Sequence, residues 1–108
     1  MTSYQSKVFC AYVKQETGLT FTPEYRFDKI RRWRFDYACI IHKIAIEVEG
    51  GVWKIGRHNR PKGFIGDMEK YNTAASLGWT VIRVTPDNLY SQSTIDLIQK
   101  TLHNRKAI

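Results

Sequence analysis

Two segments rich in β-branched and aromatic residues, 33–40 and 44–49, stand three residues apart in "RWRFDYACIIHKIAIEVEGG", Arg32 to Gly51. Both show partial period-two alternation, so both read as strands, and the short link makes them a hairpin. Ile41, His42 and Lys43 supply no Gly or Asn, so the hairpin rests on its flanks and not on turn chemistry. Alternation puts Glu47 and Glu49 on one face and Ile46 and Val48 on the other. On the preceding strand Trp33, Phe35 and Tyr37 share a face, and Arg34, Asp36 and Ala38 share the opposite one. A tight turn centred near Ile41 and His42 then sets Asp36 opposite Glu47, with Arg34 near Glu49. A slip of two residues keeps the same faces.

Three carboxylates on one face call for something to offset their repulsion. Opposed side chains lie about 5 Å apart at the β-carbon. Two full charges there repel by roughly 3 kcal/mol at an effective dielectric near 20. One answer is a surface network in which Arg34 and a nearby lysine neutralise the group. The other is a divalent cation, since Mg²⁺ and Mn²⁺ favour carboxylate, carbonyl and water oxygens.

The rest of the chain frames that hairpin. Ser3 caps a helix to about Glu16, with Tyr4, Val8, Tyr12 and Val13 near helical spacing and Gly18 as its stop. Beyond Pro23, "EYRF" (Glu24 to Phe27) reads as a short edge strand. From Gly50 to Gly66 the spacing predicts a long, basic, glycine-dotted loop. Asp67 then caps a helix to about Leu77, with Met68, Tyr71 and Ala75 on its apolar side and Gly78 as its stop. "WTVIRV" (Trp79 to Val84) is a strand, Thr85-Pro86 starts a turn or helix, and Ile95, Ile98 and Leu102 set a final helix on the core. The order is α-β-β-β-α-β-α, an α/β (α+β) chain with a mixed central sheet flanked by helices.

With 108 residues the chain fits one domain, residues 1–108. Its apolar runs are too short to span a bilayer and no charged-then-apolar segment opens it, so a cytoplasmic location is expected, without a membrane partner. Cys10 and Cys39 sit in apolar segments as free thiols, and no CxxC or HxxxH spacing suggests a zinc site. The net charge of +7 points to a polyanionic partner. Between Lys29 and Lys62 lie Arg31, Arg32, Arg34, Lys43, Lys54, Arg57 and Arg60, a basic middle around the carboxylates.

"RWRFDYA…IAIEVEGG.W" followed by "DMEKYN…LGWTVIRVT" resembles the restriction-endonuclease-like PD-(D/E)XK nuclease superfamily over roughly residues 20–90. The likeness is to small phage and bacterial endonuclease domains and, more distantly, to very-short-patch mismatch repair endonucleases. It implies a restriction-endonuclease-like core, a single nuclease-like domain and a Mg²⁺- or Mn²⁺-dependent endodeoxyribonuclease acting on branched, nicked or duplex DNA in phage DNA processing. The location it implies for a phage-encoded protein is the host cell cytoplasm. Residue by residue, Asp36 takes the motif's aspartate position and Glu47 its acidic position, with the main-chain carbonyl of Val48 completing the metal's protein ligands. Glu49 stands where the family has lysine, and Phe35 where it has proline. The resemblance leaves two roles open for Glu49, binding a second metal or acting as base, and Lys70 is the candidate for the displaced ammonium. Glu24 resembles the additional upstream acid.

Phosphodiester hydrolysis needs an activated water, a Lewis acid on the phosphoryl oxygen and a stabilised leaving oxygen. One or two ions held by Asp36 and Glu47 suit that chemistry, with Lys70 or Arg57 adding positive charge near the transition state. His58, in "GRHNR", either contacts a phosphate, moves a proton or is simply solvated. Arg34, Lys54, Arg57, Arg60 and Lys62 are the expected DNA contacts. Trp53 either stacks on a base or packs its loop, whereas Trp33 and Trp79 open apolar strands and read as core. The partners expected are DNA and, optionally, a second copy of the chain. Because the motif lysine is missing, a nuclease-fold nucleic-acid-binding module without catalysis is the alternative. A basic RNA-associated structural protein would explain the charge but not the shared-face carboxylates.

Overall fold

The hairpin forms the middle of a four-stranded sheet in the computed structural model, which describes residues 3–50 and 61–106. Its elements are α1 (Ser3–Thr17), β1 (Thr22–Arg26), β2 (Arg34–Cys39), β3 (Ile44–Val48), α2 (Pro61–Ser76), β4 (Thr80–Val84), a 3-10 turn (Pro86–Asn88) and α3 (Gln92–Lys106). The spatial order is β1-β2-β3-β4, antiparallel from β1 to β3 and parallel between β3 and β4. Among the described residues this is a mixed α+β fold with three helices, in the element order expected from the sequence.

The helices divide between the two faces of the sheet. Phe9 and Val13 of α1 and Ile95 and Ile98 of α3 pack with Tyr37, Cys39, Ile44, Ile46 and Ile82 in the larger core. Ala74 of α2 lies on the other face with Phe35, Ala38 and Ala45. Three alanines meet there, so the helix backbone can approach the strands closely. Fully burying a Phe or Ile side chain contributes about 1.5–3 kcal/mol, which makes the larger cluster the main source of stability.

Several elements are displaced from their expected positions. The inward face of α1 is Ser6, Phe9 and Val13, while Tyr4 and Val8 are exposed. Helix α2 begins at Pro61 and not at Asp67, because proline's fixed φ and missing N–H suit a first helical position. Its inward positions follow Lys70 and Ala74, and Met68 and Ala75 are exposed. The expected stops do occur: Gly18 (φ +78) and Gly78 (φ +88) both take the left-handed conformation that ends a helix. In the β2–β3 turn Lys43 adopts φ +54 where Gly or Asn would be usual, and its Nζ donates to Leu77 O at 2.8 Å.

Alternation also fails at one point. Phe35 packs on the α2 side and Tyr37 on the α1/α3 side, so Trp33, Phe35 and Tyr37 do not share a face. The change falls at Asp36. On β1, Pro23 pairs with Tyr37 and Tyr25 with Phe35, which leaves Glu24 level with Asp36, and Glu24 has φ +53. A left-handed residue inside a strand pair locally reorients it, as a bulge does.

Candidate active site

At the C-terminal end of β3 the ladder to β2 changes character. Its regular pairing runs from Cys39–Ile44 to Tyr37–Ile46. One step further, side chains take over from carbonyls. The Asp36 N–H donates to Glu47 Oε2 at 3.0 Å, and the Val48 N–H donates to Asp36 Oδ2 at 2.7 Å. Glu47 is thus held against the Asp36 backbone, and Asp36 against the backbone of Val48. The ladder itself ends at Tyr37–Ile46, and Asp36 and Glu47, one step beyond it, are joined through the Asp36 N–H and the Glu47 side chain.

Glu47 is only 5% exposed, because β3 lies between β2 and β4 and α2 crosses its outer face. Lys70 of α2 donates to Glu47 Oε1 at 2.5 Å, and the Tyr71 hydroxyl donates to the same oxygen at 3.3 Å. Burial pushes the Glu47 carboxyl above its ordinary range, against the opposing pull of the Lys70 ammonium and the Asp36 amide. Burial and the Glu47 and Glu49 charges likewise raise the Tyr71 phenol, so it stays a neutral donor.

Glu49 is balanced from β4. The parallel register sets Arg83 beside Glu47, yet its Nε donates to Glu49 Oε1 at 2.6 Å. The Arg83 guanidinium lies 4.6 Å over the Tyr71 ring, and the Lys70 ammonium 5.4 Å from it. The Tyr71 ring thus contacts both cations. Lys70 pairs with Glu47 and Arg83 with Glu49, and among the described residues Arg34 pairs with neither carboxylate. Arg34 instead lies 3.7 Å from Glu24 in an exposed pair worth at most about 1 kcal/mol.

Of the residues expected at the site, Asp36, Glu47, Val48, Glu49 and Lys70 come together. The Val48 carbonyl accepts from the Gly50 N–H at 3.1 Å. Glu24 is level with Asp36 in the register, but its carboxylate is directed to Arg34. Trp53, Lys54, Arg57, His58 and Arg60 lie outside the described residues, as does the side chain of Lys62. Tyr71 and Arg83 were missing from the sequence-derived site. A lone arginine in the apolar run "TVIRV" was the available signal for Arg83, but its neighbour depends on a crossover register that no local pattern encodes.

Among the described residues, no three of His, Cys, Asp and Glu gather in a metal-ligating group. The donor chemistry nonetheless suits a hard cation: two carboxylates from adjacent strands, with Asp36 Oδ1 free of hydrogen bonds from the described residues. No described helix is long and apolar enough to cross a membrane. No family model, curated protein or solved structure matches the chain.

Proposed function

We propose that the protein is a metal-dependent DNA endonuclease of the restriction-endonuclease-like PD-(D/E)XK kind, with residues 1–108 as one nuclease domain. The observation that carries this reading is the joint placement of Asp36, Glu47 and Lys70. The Glu47 carboxylate accepts from the Asp36 N–H and the Asp36 carboxylate from the Val48 N–H, while the Lys70 ammonium approaches Glu47 from the covering helix at 2.5 Å. In this reading Lys70 supplies the positive charge that Glu49 cannot, and Glu49 is tied to Arg83. The net charge of +7 agrees with a polyanionic substrate.

Asp36, Glu47 and the Val48 carbonyl would hold Mg²⁺ or Mn²⁺. When bound, the ion supplies Lewis acidity to a phosphoryl oxygen and a lowered pKa to water. Lys70 stabilises charge developing on the phosphate, and Tyr71 fixes the Glu47 carboxylate through its hydroxyl. The basic segment around Arg57, His58, Arg60 and Lys62 contributes phosphate contacts.

The test is nicking of linear, flapped and four-way DNAs with either metal. Wild type is expected to cut at least one substrate, and Asp36→Ala to cut none while binding within a few-fold of wild type. Glu47 supports a second reading, a non-catalytic DNA-binding module, because both its oxygens are engaged by protein donors. Wild-type protein that binds DNA but cuts nothing, with Asp36→Ala behaving identically, would select that reading.

A further inference from the structure

The β1–β2 connection carries an aliphatic side chain that no described residue covers. Ile30 is 92% exposed at the tip of the turn across residues 27–33. Isolated exposed apolar residues are ordinary, but this one stands on a hydrogen-bonded turn. Asp28 Oδ1 accepts from the N–H groups of Ile30 and Arg31 at 3.0 and 2.9 Å, which fixes the tip. The flanks of the same turn form an aromatic cluster. Phe27 stacks on Phe35 at 4.1 Å and on Trp33 at 6.3 Å, and the Arg31 guanidinium lies 4.4 Å over Trp33. Arg31 also reaches Glu69 at 2.7 Å, linking the finger to the residue before Lys70.

Charge and position say what such a tip fits. Lys29 and Arg32 flank Ile30 and are exposed. The turn leaves the sheet at the N-terminal end of β2, the same end at which antiparallel β3 delivers Glu47. Asp36 is two residues along β2 from Arg34, about 7 Å. An apolar point between cations, on the turn that leads into the carboxylate-bearing strand, matches a base stack flanked by phosphates.

We propose that Ile30 is a wedge that enters DNA at a break in base stacking, with Lys29 and Arg32 holding the flanking phosphates. The inference deepens the endonuclease reading and rests on it only for DNA as the partner. It assigns the substrate class, nicked or branched DNA in preference to intact duplex, since an interrupted stack is cheaper to open.

The experiment uses a nicked duplex carrying 2-aminopurine beside the nick, with an intact duplex as control, in EDTA so that no cleavage occurs. Wild type is expected to raise the fluorescence of the nicked probe and to bind it more tightly than the intact one. Ile30→Ala should remove the rise and cut that preference about tenfold, the scale of one buried aliphatic side chain. Affinity for the intact duplex should stay unchanged. Lys29→Ala with Arg32→Asn should flatten the log–log salt dependence by about 0.9 for each phosphate no longer neutralised; asparagine suits the left-handed backbone at Arg32 (φ +61). An Ile30→Ala protein that matches wild type in fluorescence and preference overturns the wedge, leaving cleavage to decide the endonuclease reading. A wedge response without cleavage in Mn²⁺ overturns the nuclease and supports the wedge. If Ile30→Ala instead turns a dimer into a monomer in sedimentation, the tip is a self-association surface and the proposal falls.

Discussion

Lys70 and Glu47 meet at 2.5 Å across the gap between α2 and β3, with both side chains largely shielded from water. Such a contact is costly to assemble and more costly to halve. Desolvating the pair offsets most of its attraction, whereas removing one partner leaves an uncompensated charge.

Lys70→Met should therefore destabilise the protein by about 3–5 kcal/mol at neutral pH. The loss should shrink in acid, because protonating Glu47 removes the stranded charge. Denaturant unfolding of both proteins between neutral and acidic pH checks this. A penalty independent of pH would mean that packing of the lysine stem, and not its charge, is what matters.

Glu47 also leaves a signature in the wild type. Its folded-state pKa is raised above its ordinary value of 4.5, so between the two values the folded state holds more proton than the unfolded state. Stability contributed by this group is therefore greatest below that window and declines as pH rises through the folded pKa. Glu47→Gln should lose that component, seen as the difference between the two stability–pH curves.

Mn²⁺ should raise the melting temperature of the wild type, since a cation that binds only the folded state stabilises it by mass action. Asp36→Asn and Glu47→Gln should each reduce the shift. No shift at millimolar Mn²⁺, together with no heat in calorimetry, would reject the ion site.

Ala74 sets how near α2 comes to the sheet. Ala74→Leu should cost about 1–3 kcal/mol by overpacking against Ala38 and Ala45. It should also lower cleavage, because Lys70 and Tyr71 ride on the same helix, one turn and less away. Thermal melts and the nicking assay read the two effects separately.

Replacing Arg57, Arg60 and Lys62 by alanine should weaken DNA binding and flatten its salt dependence, as fewer counterions are released. An unchanged salt slope would leave the phosphates to other cations, such as Lys29 and Arg32.

The adjacency of Asp36 and Glu47 was legible because strand period and a short link are local properties. Even so, alternation alone misplaces the face of Phe35, since the left-handed residue at Glu24 lies on the neighbouring strand. Asp67 resembled a helix cap because aspartate favours caps in general, whereas Pro61 was the first helical residue. That error shifted the predicted inward face of α2. Lys70 is implied by the family resemblance and not by spacing. Arg83 was invisible because its partner Glu49 sits across a parallel pair, joined through residues well apart in sequence.

The parallel closure of β4 on β3 has a kinetic consequence. The carboxylates arise within a hairpin, the most local and fastest-forming part of such a sheet, while Lys70 and Arg83 arrive only when the slower crossover docks. During that interval the hairpin carries its negative charges without their counter-ions. Added salt, by screening that repulsion, should hasten refolding.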